Sequence, residues 1–178
     1  KAGKTKYTPV GGIPELKDAI IAKLKKDNGL AYTRDEILVS VGAKHSLYNA
    51  CQALLDPGDE VIIPSPYWVS YPDQVLLNDG VPVIVPTEEK DGFLLRPEAL
   101  ERAITKKTKM FVLNSPSNPT GAAYSKKRLQ EIAEILAKHG ILCLADEIYE
   151  KIVYDGFMPV SLATLGEKIK SSVVKTLK

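Results

Sequence analysis

Long apolar runs, a dominant charge and abundant cysteine are all missing from this sequence. No apolar stretch approaches the roughly 20 residues that a helix needs to cross a bilayer, so no membrane-spanning segment is predicted. The 24 basic and 22 acidic residues leave a formal charge of only +2, which gives no electrostatic reason to expect nucleic acid or an anionic membrane as a partner. Lys1 to Pro9 lack the apolar core of a signal peptide, so secretion is not expected.

Only two cysteines are present, Cys51 and Cys143, and both have apolar neighbours in the sequence. Such cysteines are typical of buried, reduced thiols that pack as small hydrophobic residues. Because reduced thiols persist in a reducing compartment, we expect a cytoplasmic protein. No metal site is predicted.

The apolar residues fall into short blocks with either helical or strand-like spacing. Helical spacing predicts a helix from Pro14 to about Asn28-Gly29 and further helices over 44–55, 69–77, 98–105 and around 129–136. Strands are predicted over 36–41, 61–63, 81–85, 110–113, 141–145 and 173–174, with Pro82 typical of an edge strand. This alternation predicts one α/β domain with a mostly parallel sheet and helices on both faces.

Unusual residues follow the predicted strands in four segments, which begin at Gly42, Pro64, Asn114 and Asp146. In a parallel sheet the ligand crevice lies at the carboxyl ends of the strands, so all four segments are predicted to line one pocket. Backbone N–H groups at the helix start after Gly42 would suit a phosphate dianion. Asp146 follows five apolar residues and would be desolvated, so it needs a cationic or hydrogen-bonding partner.

Each of these features also has a plain structural explanation when it is taken alone. Gly42 can end a strand, Asn118 to Gly121 can form an ordinary turn, Trp68 can be a packing residue and Asp146 can cap a helix. Together, however, an anion cradle, a flat aromatic, an amide, a carboxylate and a phenol suit a planar, phosphorylated heteroaromatic cation.

Several motifs resemble those of the aspartate aminotransferase superfamily, whose members depend on pyridoxal phosphate (PLP). They are Ser115-Pro116-Ser117-Asn118-Pro119-Thr120-Gly121, Asp146-Glu147-Ile148-Tyr149, Pro66-Tyr67-Trp68 and Lys6-Tyr7. The resemblance covers nearly the whole chain in the right order. It implies that residues 1–178 are the cofactor-binding large domain, incomplete and without the small C-terminal domain, of a homodimer that binds PLP in a shared active site.

The resemblance also implies a role for each matching residue that contacts the ring. Asp146 matches the catalytic carboxylate that pairs with the protonated pyridine nitrogen. Asn118 and Tyr149 match the groups that hydrogen-bond the ring oxygen O3′, and Tyr149 counts with Asp146 among the catalytic residues. Trp68 and Ile148 match the residues that cover the two faces of the ring.

Further matches concern the phosphate and the covalent bond to PLP. Gly42, Ala43 and Lys44 match the loop whose backbone N–H groups hold the phosphate, and Tyr7 matches a tyrosine that reaches the phosphate of the neighbouring subunit. The family's catalytic lysine follows the next strand within a Ser-Lys pair. Lys178 is the first candidate for it and Lys175 the second, although no serine precedes either. Both could instead be ordinary surface lysines.

Amino-group transfer between an amino acid and a 2-oxo acid is the activity that the resemblance implies. The run Pro66-Tyr67-Trp68-Val69-Ser70-Tyr71 is most similar to bacterial aspartate aminotransferases, some of which also accept prephenate, so aspartate and 2-oxoglutarate are the expected substrates. The family's downstream arginine for the substrate carboxylate has no match, and the arginines present are predicted to be solvated: Arg34, Arg96, Arg102 and Arg128. Two alternatives stay open, a PLP-dependent carbon–sulfur β-lyase on the same fold and a catalytically inactive dimerising fragment.

Overall fold

A parallel β-sheet forms the centre of the fold in the computed structural model, which describes residues 3–176. Its strands are β1 (Glu60–Ser65), β2 (Val81–Pro86), β3 (Thr108–Asn114), β4 (Leu142–Asp146) and β5 (Val173–Thr176). They lie in the order β2-β1-β3-β4-β5, and each pairs in parallel with its neighbours. The predicted parallel sheet is confirmed, and Pro82 lies in an edge strand as expected.

Six α-helices connect or flank the strands among residues 3–176. They are α1 (Pro14–Asn28), α2 (Ala43–Leu54), α3 (Ser70–Leu76), α4 (Pro97–Ala103), α5 (Lys126–His139) and α6 (Glu167–Lys170). Short 3-10 turns cover Arg34–Glu36, Glu89–Asp91 and Leu162–Thr164. The predicted end of the first helix is confirmed, because Gly29 adopts φ 69° and returns its N–H to the last turn. None of the helices in this part of the chain is long and apolar enough to cross a membrane.

Helices cover both faces of the sheet because side chains alternate along each strand. Residues of α2 and α3 pack on one face against Val61, Ile63, Met110, Val112 and Leu144. Residues of α4 and α5 pack on the other face against Ile62, Phe111, Leu113, Cys143 and Ala145. The predicted layers are therefore confirmed. A strand residue whose side chain points the same way as that of Leu144 lies on the face that α2 and α3 cover.

The predicted strand over residues 36–41 is wrong. Residues 34–36 form a 3-10 turn that the Ile37 N–H closes on the Arg34 carbonyl, and the extended segment after it makes one further backbone bond, from Val39 N–H to the Gly11 carbonyl at 3.1 Å. Leu38 and Val41 are exposed by 59% and 89%. Local apolarity suggested a strand here, but a strand also needs a neighbour with which to form a ladder, and none of the described residues provides one.

Both cysteines are free and buried, as predicted. Burial raises the pKa of the Cys51 thiol to about 11 and, more strongly, raises the pKa of Cys143, to which the charge of Glu147 adds. Two protonated thiols inside the apolar layers act as packing residues.

Candidate active site

Asp146 ends β4 at the carboxyl edge of the sheet, and its side chain is only 3% exposed. It accepts hydrogen bonds from the Tyr71 hydroxyl at 2.7 Å, the Thr176 hydroxyl at 2.9 Å and the Ile148 backbone N–H at 3.3 Å. All three donors are neutral, and no ion pair among residues 3–176 includes Asp146. A buried carboxylate of this kind is oriented by its neighbours and has its charge available for a cation.

Tyr71 connects Asp146 to the aromatic part of the site. It lies in α3 and is 3% exposed. Burial, the charge of Asp146 and their shared hydrogen bond raise the pKa of Tyr71, and Tyr149 adds to the same effect. The hydroxyl therefore stays protonated and donates. The Trp68 ring meets the Tyr71 ring edge-on, with centroids 5.4 Å apart and planes at 84°.

Lys44 connects the start of α2 to Trp68 and to α3. Its ammonium group lies 4.8 Å from the centre of the Trp68 ring, within the range of a cation–π contact. Its carbonyl accepts a hydrogen bond from Gln74 of α3 at 3.0 Å, and Gln74 is 6% exposed. The first turn of α2 is thereby attached to α3, the helix that carries Tyr71.

Unpaired backbone donors mark the N-terminus of α2. Gly42 adopts φ 98° there, a conformation that residues with a Cβ rarely adopt, and it supplies no side-chain cap. Ser46 N–H bonds to the Gly42 carbonyl, whereas the N–H groups of Ala43 and Lys44 have no acceptor among the described residues. Two unpaired donors and the positive end of a helix dipole suit an anion such as phosphate.

Asn114 attaches the turn after β3 to the end of β4. It stands in register with Asp146 and donates its side-chain amide to the Asp146 carbonyl at 3.0 Å. Its side-chain oxygen accepts from the backbone N–H of Asn118 at 2.7 Å. Asn118 is therefore held beside the strand end that carries Asp146.

Comparison with known proteins agrees with this geometry. The sequence pattern of the family described as aminotransferase class I and II matches residues 2–177. This chain belongs to the class I and II aminotransferases.

Individual relatives in this aminotransferase family are also similar over most of the chain. An aspartate aminotransferase of Geobacillus stearothermophilus is 53% identical over 172 residues, 97% of this chain and 44% of the relative. An aspartate/prephenate aminotransferase of Cereibacter sphaeroides is 55% identical over 88% of this chain and 39% of the relative. The crystal structure of the aspartate aminotransferase from Rhizobium meliloti superimposes with a TM-score of 0.96 at 50% identity, covering 98% of this chain and 44% of that one. The chain thus spans less than half the length of these relatives.

Most of the predicted site residues of this aminotransferase chain lie together. One connected series of contacts joins Asn118, Asp146, Trp68 and Lys44 through Asn114 and Tyr71. Gly42 and Ala43 begin the same helix as Lys44. Ile148 and Tyr149 lie in the turn directly after Asp146 and are half-buried.

Two predicted site residues are not part of this series. Tyr7 has a fully exposed side chain, 105% of its reference area, and among residues 3–176 no hydrogen bond, ion pair or ring contact joins it to the others. Lys178 lies outside the described residues.

One interpretation of Lys175 is an ordinary surface lysine, and the structure contradicts it. Its side chain is 5% exposed, and its Nζ lies 2.8 Å from Glu147 Oε2. It stands in register with Ala145, whereas Thr176 stands in register with Asp146. Because successive strand side chains point to opposite faces, Lys175 points away from the face that carries Asp146, which argues against it as the family's catalytic lysine.

The arginines mostly agree with their predicted exposure. Arg34 and Arg96 are exposed and pair with Asp18 and Asp91, and Arg102 is exposed. Arg128 differs, since it is half-buried and donates to the Leu95 carbonyl at 2.9 Å. It helps to hold the loop before α4 against α5.

Residues that the sequence analysis missed are Tyr71, Thr176, Asn114 as a connecting residue, and Gln74. Asn114 and Thr176 end β3 and β5, so asking which polar residues end parallel strands would have found both. Tyr71 and Gln74 carry no comparable signal. They lie on a helix, and only the packing of that helix places their polar atoms at the site.

Proposed function

We propose that this chain is the PLP-binding domain of a longer aminotransferase that transfers an amino group from aspartate to 2-oxoglutarate. The observation that carries the proposal is Asp146, a buried carboxylate with only neutral donors around it, linked by contacts to the unpaired N–H groups of α2. A cationic aromatic ring with a phosphate at its other end fits this donor set.

The residues present would hold PLP at each part of its structure. Asp146 would pair with the pyridine nitrogen, the N–H groups after Gly42 would bind the phosphate, and Trp68 would cover one face of the ring. When bound, PLP supplies an electron sink that stabilises the carbanion at the substrate α-carbon.

The remaining ring contacts complete this assignment. Ile148 would cover the second face, Asn118 and Tyr149 would hydrogen-bond O3′, and Lys178 would be the covalent anchor. For Asn118 the support is its bond to Asn114, which itself donates to the end of β4, and for Tyr149 it is its place in the turn after β4.

Asp146 controls one proton in this proposal. Its negative charge keeps the pyridine nitrogen protonated, because in a dry site a charge-assisted hydrogen bond is stronger than one between neutral groups. The hydroxyls of Tyr71 and Thr176 orient the two carboxylate oxygens and replace the water that Asp146 would otherwise bind. Asp146 therefore holds the proton on the pyridine nitrogen without the help of water.

Aspartate is proposed as the amino donor because relatives with that activity in their names share about half of their residues with this chain. Prephenate is a second candidate acceptor, because a relative named for it is 55% identical. A cytoplasmic homodimer with a shared active site is also proposed, supported by the fully exposed Tyr7 side chain, which is accessible to a second copy.

Enzyme assays on the full-length, PLP-loaded protein test the proposal. With aspartate and 2-oxoglutarate we expect oxaloacetate, measured by coupled NADH oxidation, and Asp146→Ala should abolish most of it. Prephenate in place of 2-oxoglutarate tests the second acceptor. Release of pyruvate and thiol from a cysteine conjugate without any 2-oxo acid, and no oxaloacetate, would instead favour the β-lyase.

A further inference from the structure

A buried ion pair lies behind Asp146, on the other face of the sheet. Lys175 Nζ is 2.8 Å from Glu147 Oε2, and each side chain is 5% exposed. Lys175 Nζ is also 3.5 Å from Glu150 Oε2 and 3.4 Å from the Ser161 hydroxyl oxygen. None of these groups has a role in the proposed function.

The other contacts of this pair attach it to its surroundings. Glu147 Oε1 accepts a hydrogen bond from the Leu162 backbone N–H at 3.2 Å. Glu150 pairs with Lys23 of α1 as well as with Lys175. Burial acts to raise the pKa of Glu150, but the contacts with Lys23 and Lys175 outweigh it and the net shift is downward. Glu150 thus stays ionised beside Lys175.

The position of the pair relative to Asp146 is its most informative property. Glu147 directly follows Asp146, the last residue of β4, and Lys175 directly precedes Thr176, the last residue of β5. Thr176 stands in register with Asp146 and donates its hydroxyl to it. The same two strand ends are therefore connected twice, by the ion pair on one face and by the Thr176–Asp146 hydrogen bond on the other.

Stability alone is a poor explanation for such a pair. The desolvation of two buried charges offsets most of their attraction, and apolar residues of similar volume often stabilise as well. A geometric consequence is more direct. Because a one-residue slip between strands turns every side chain to the opposite face, a pair that fixes the register also fixes where Asp146 points.

We propose that Glu147 and Lys175 are positioning residues that hold the ends of β4 and β5 in register and so keep the Asp146 carboxylate directed at the cofactor's ring nitrogen. This inference rests on the proposed function. Glu147 and Lys175 act through Asp146 and Thr176 and do not themselves touch the cofactor.

The test compares two cofactors in the full-length, cofactor-stripped enzyme. Dissociation constants are measured by equilibrium dialysis for PLP and for 1-deazapyridoxal phosphate, in which carbon replaces the ring nitrogen. General damage to the fold weakens both equally, whereas a misdirected Asp146 weakens only PLP. The preference for PLP over the analogue is therefore the quantity to follow.

Glu147→Gln and Lys175→Met are each expected to reduce that preference by roughly tenfold, the middle of the range for residues in one network. Lys175→Arg keeps the charge and should retain most of the preference. The matched control is Glu101→Gln on α4, which removes exposed pairs with Lys138 and His139 of α5 and should change nothing. If the single variants do not fold, the double variant Glu147→Gln with Lys175→Met removes both charges of the pair and allows the same measurement.

The outcomes separate this inference from the proposed function. If Glu147→Gln and Lys175→Met keep the wild-type preference for PLP over the analogue, this inference is overturned and the proposed function is not affected. Equal affinity of the wild-type enzyme for both cofactors overturns the role of Asp146, and the inference with it.

Discussion

Replacing Tyr71 by phenylalanine isolates one hydrogen bond at the centre of the site. The ring and its edge-on contact with Trp68 are kept, while the hydroxyl that donates to Asp146 Oδ2 at 2.7 Å is lost. A hydrogen bond to a charged group contributes about 1.5–3 kcal/mol. Asp146 keeps its bonds from Thr176 and Ile148. We therefore expect the free energy of unfolding to fall by about 2 kcal/mol.

Urea unfolding of the 178-residue chain measures this change. Trp68 is the sole tryptophan in the sequence, so its fluorescence reports on the site itself. The matched control is Tyr48→Phe, which removes an exposed hydroxyl bonded to Gln52 and should stay within about 0.5 kcal/mol of the wild type. A loss below about 0.5 kcal/mol in Tyr71→Phe would refute the role assigned to this bond.

The pH dependence gives the same prediction a second check. The pKa of Tyr71 is raised in the folded chain, chiefly by burial. Its contribution to stability is therefore complete below the ordinary tyrosine pKa of about 10 and falls as pH rises above it, because only the unfolded chain then loses the proton. The difference between wild type and Tyr71→Phe should narrow above pH 10. A constant difference would show that Tyr71 ionises equally in both states.

Two further substitutions and the reactivity of one thiol have defined outcomes. Asp146→Ala in the full-length enzyme should lower kcat/KM by the equivalent of about 3–5 kcal/mol, the usual result of leaving a buried charge without its partner; near-normal steady-state turnover would contradict its role. Gly42→Ala should lower the free energy of urea unfolding by about 1–3 kcal/mol, because φ at this position is 98°; an unchanged midpoint would show that the loop relaxes. Burial raises the pKa of Cys51 to about 11, so its contribution to stability holds below pH 9 and is lost as pH rises toward 11. At pH 8 the native thiol should not react with Ellman's reagent, and rapid reaction would mean that it is accessible.

The sequence was sufficient to predict the five parallel strands of the sheet and most of the polar segments that follow them, although it also predicted a strand over 36–41 that the structure lacks. Strand ends in a parallel sheet meet at one edge, so Asn118 and Asp146 could be placed together before any coordinates. The strand predicted over 36–41 was wrong because apolarity can be read from the segment itself, whereas the presence of a neighbouring strand cannot. A short apolar stretch does not reveal whether another strand lies beside it.

Contacts that depend on packing could not be predicted in this way. The Tyr71 hydroxyl reaches Asp146 only because α3 lies against the face on which Asp146 points. From the sequence alone Lys175 could be a surface lysine, because its pairing with Glu147 depends on the register of β4 and β5. Both contacts join residues that are distant in sequence, so no motif contains them.

Titration of the full-length enzyme with PLP, followed by Trp68 fluorescence after other tryptophans are replaced, tests the central claim most directly. The account predicts saturable quenching, much weaker affinity for pyridoxal, which lacks the phosphate, and much weaker affinity for PLP in Asp146→Ala. Quenching that is absent, or that is indifferent to both the phosphate and Asp146, would contradict a site in which Asp146 and the start of α2 bind opposite ends of one cofactor.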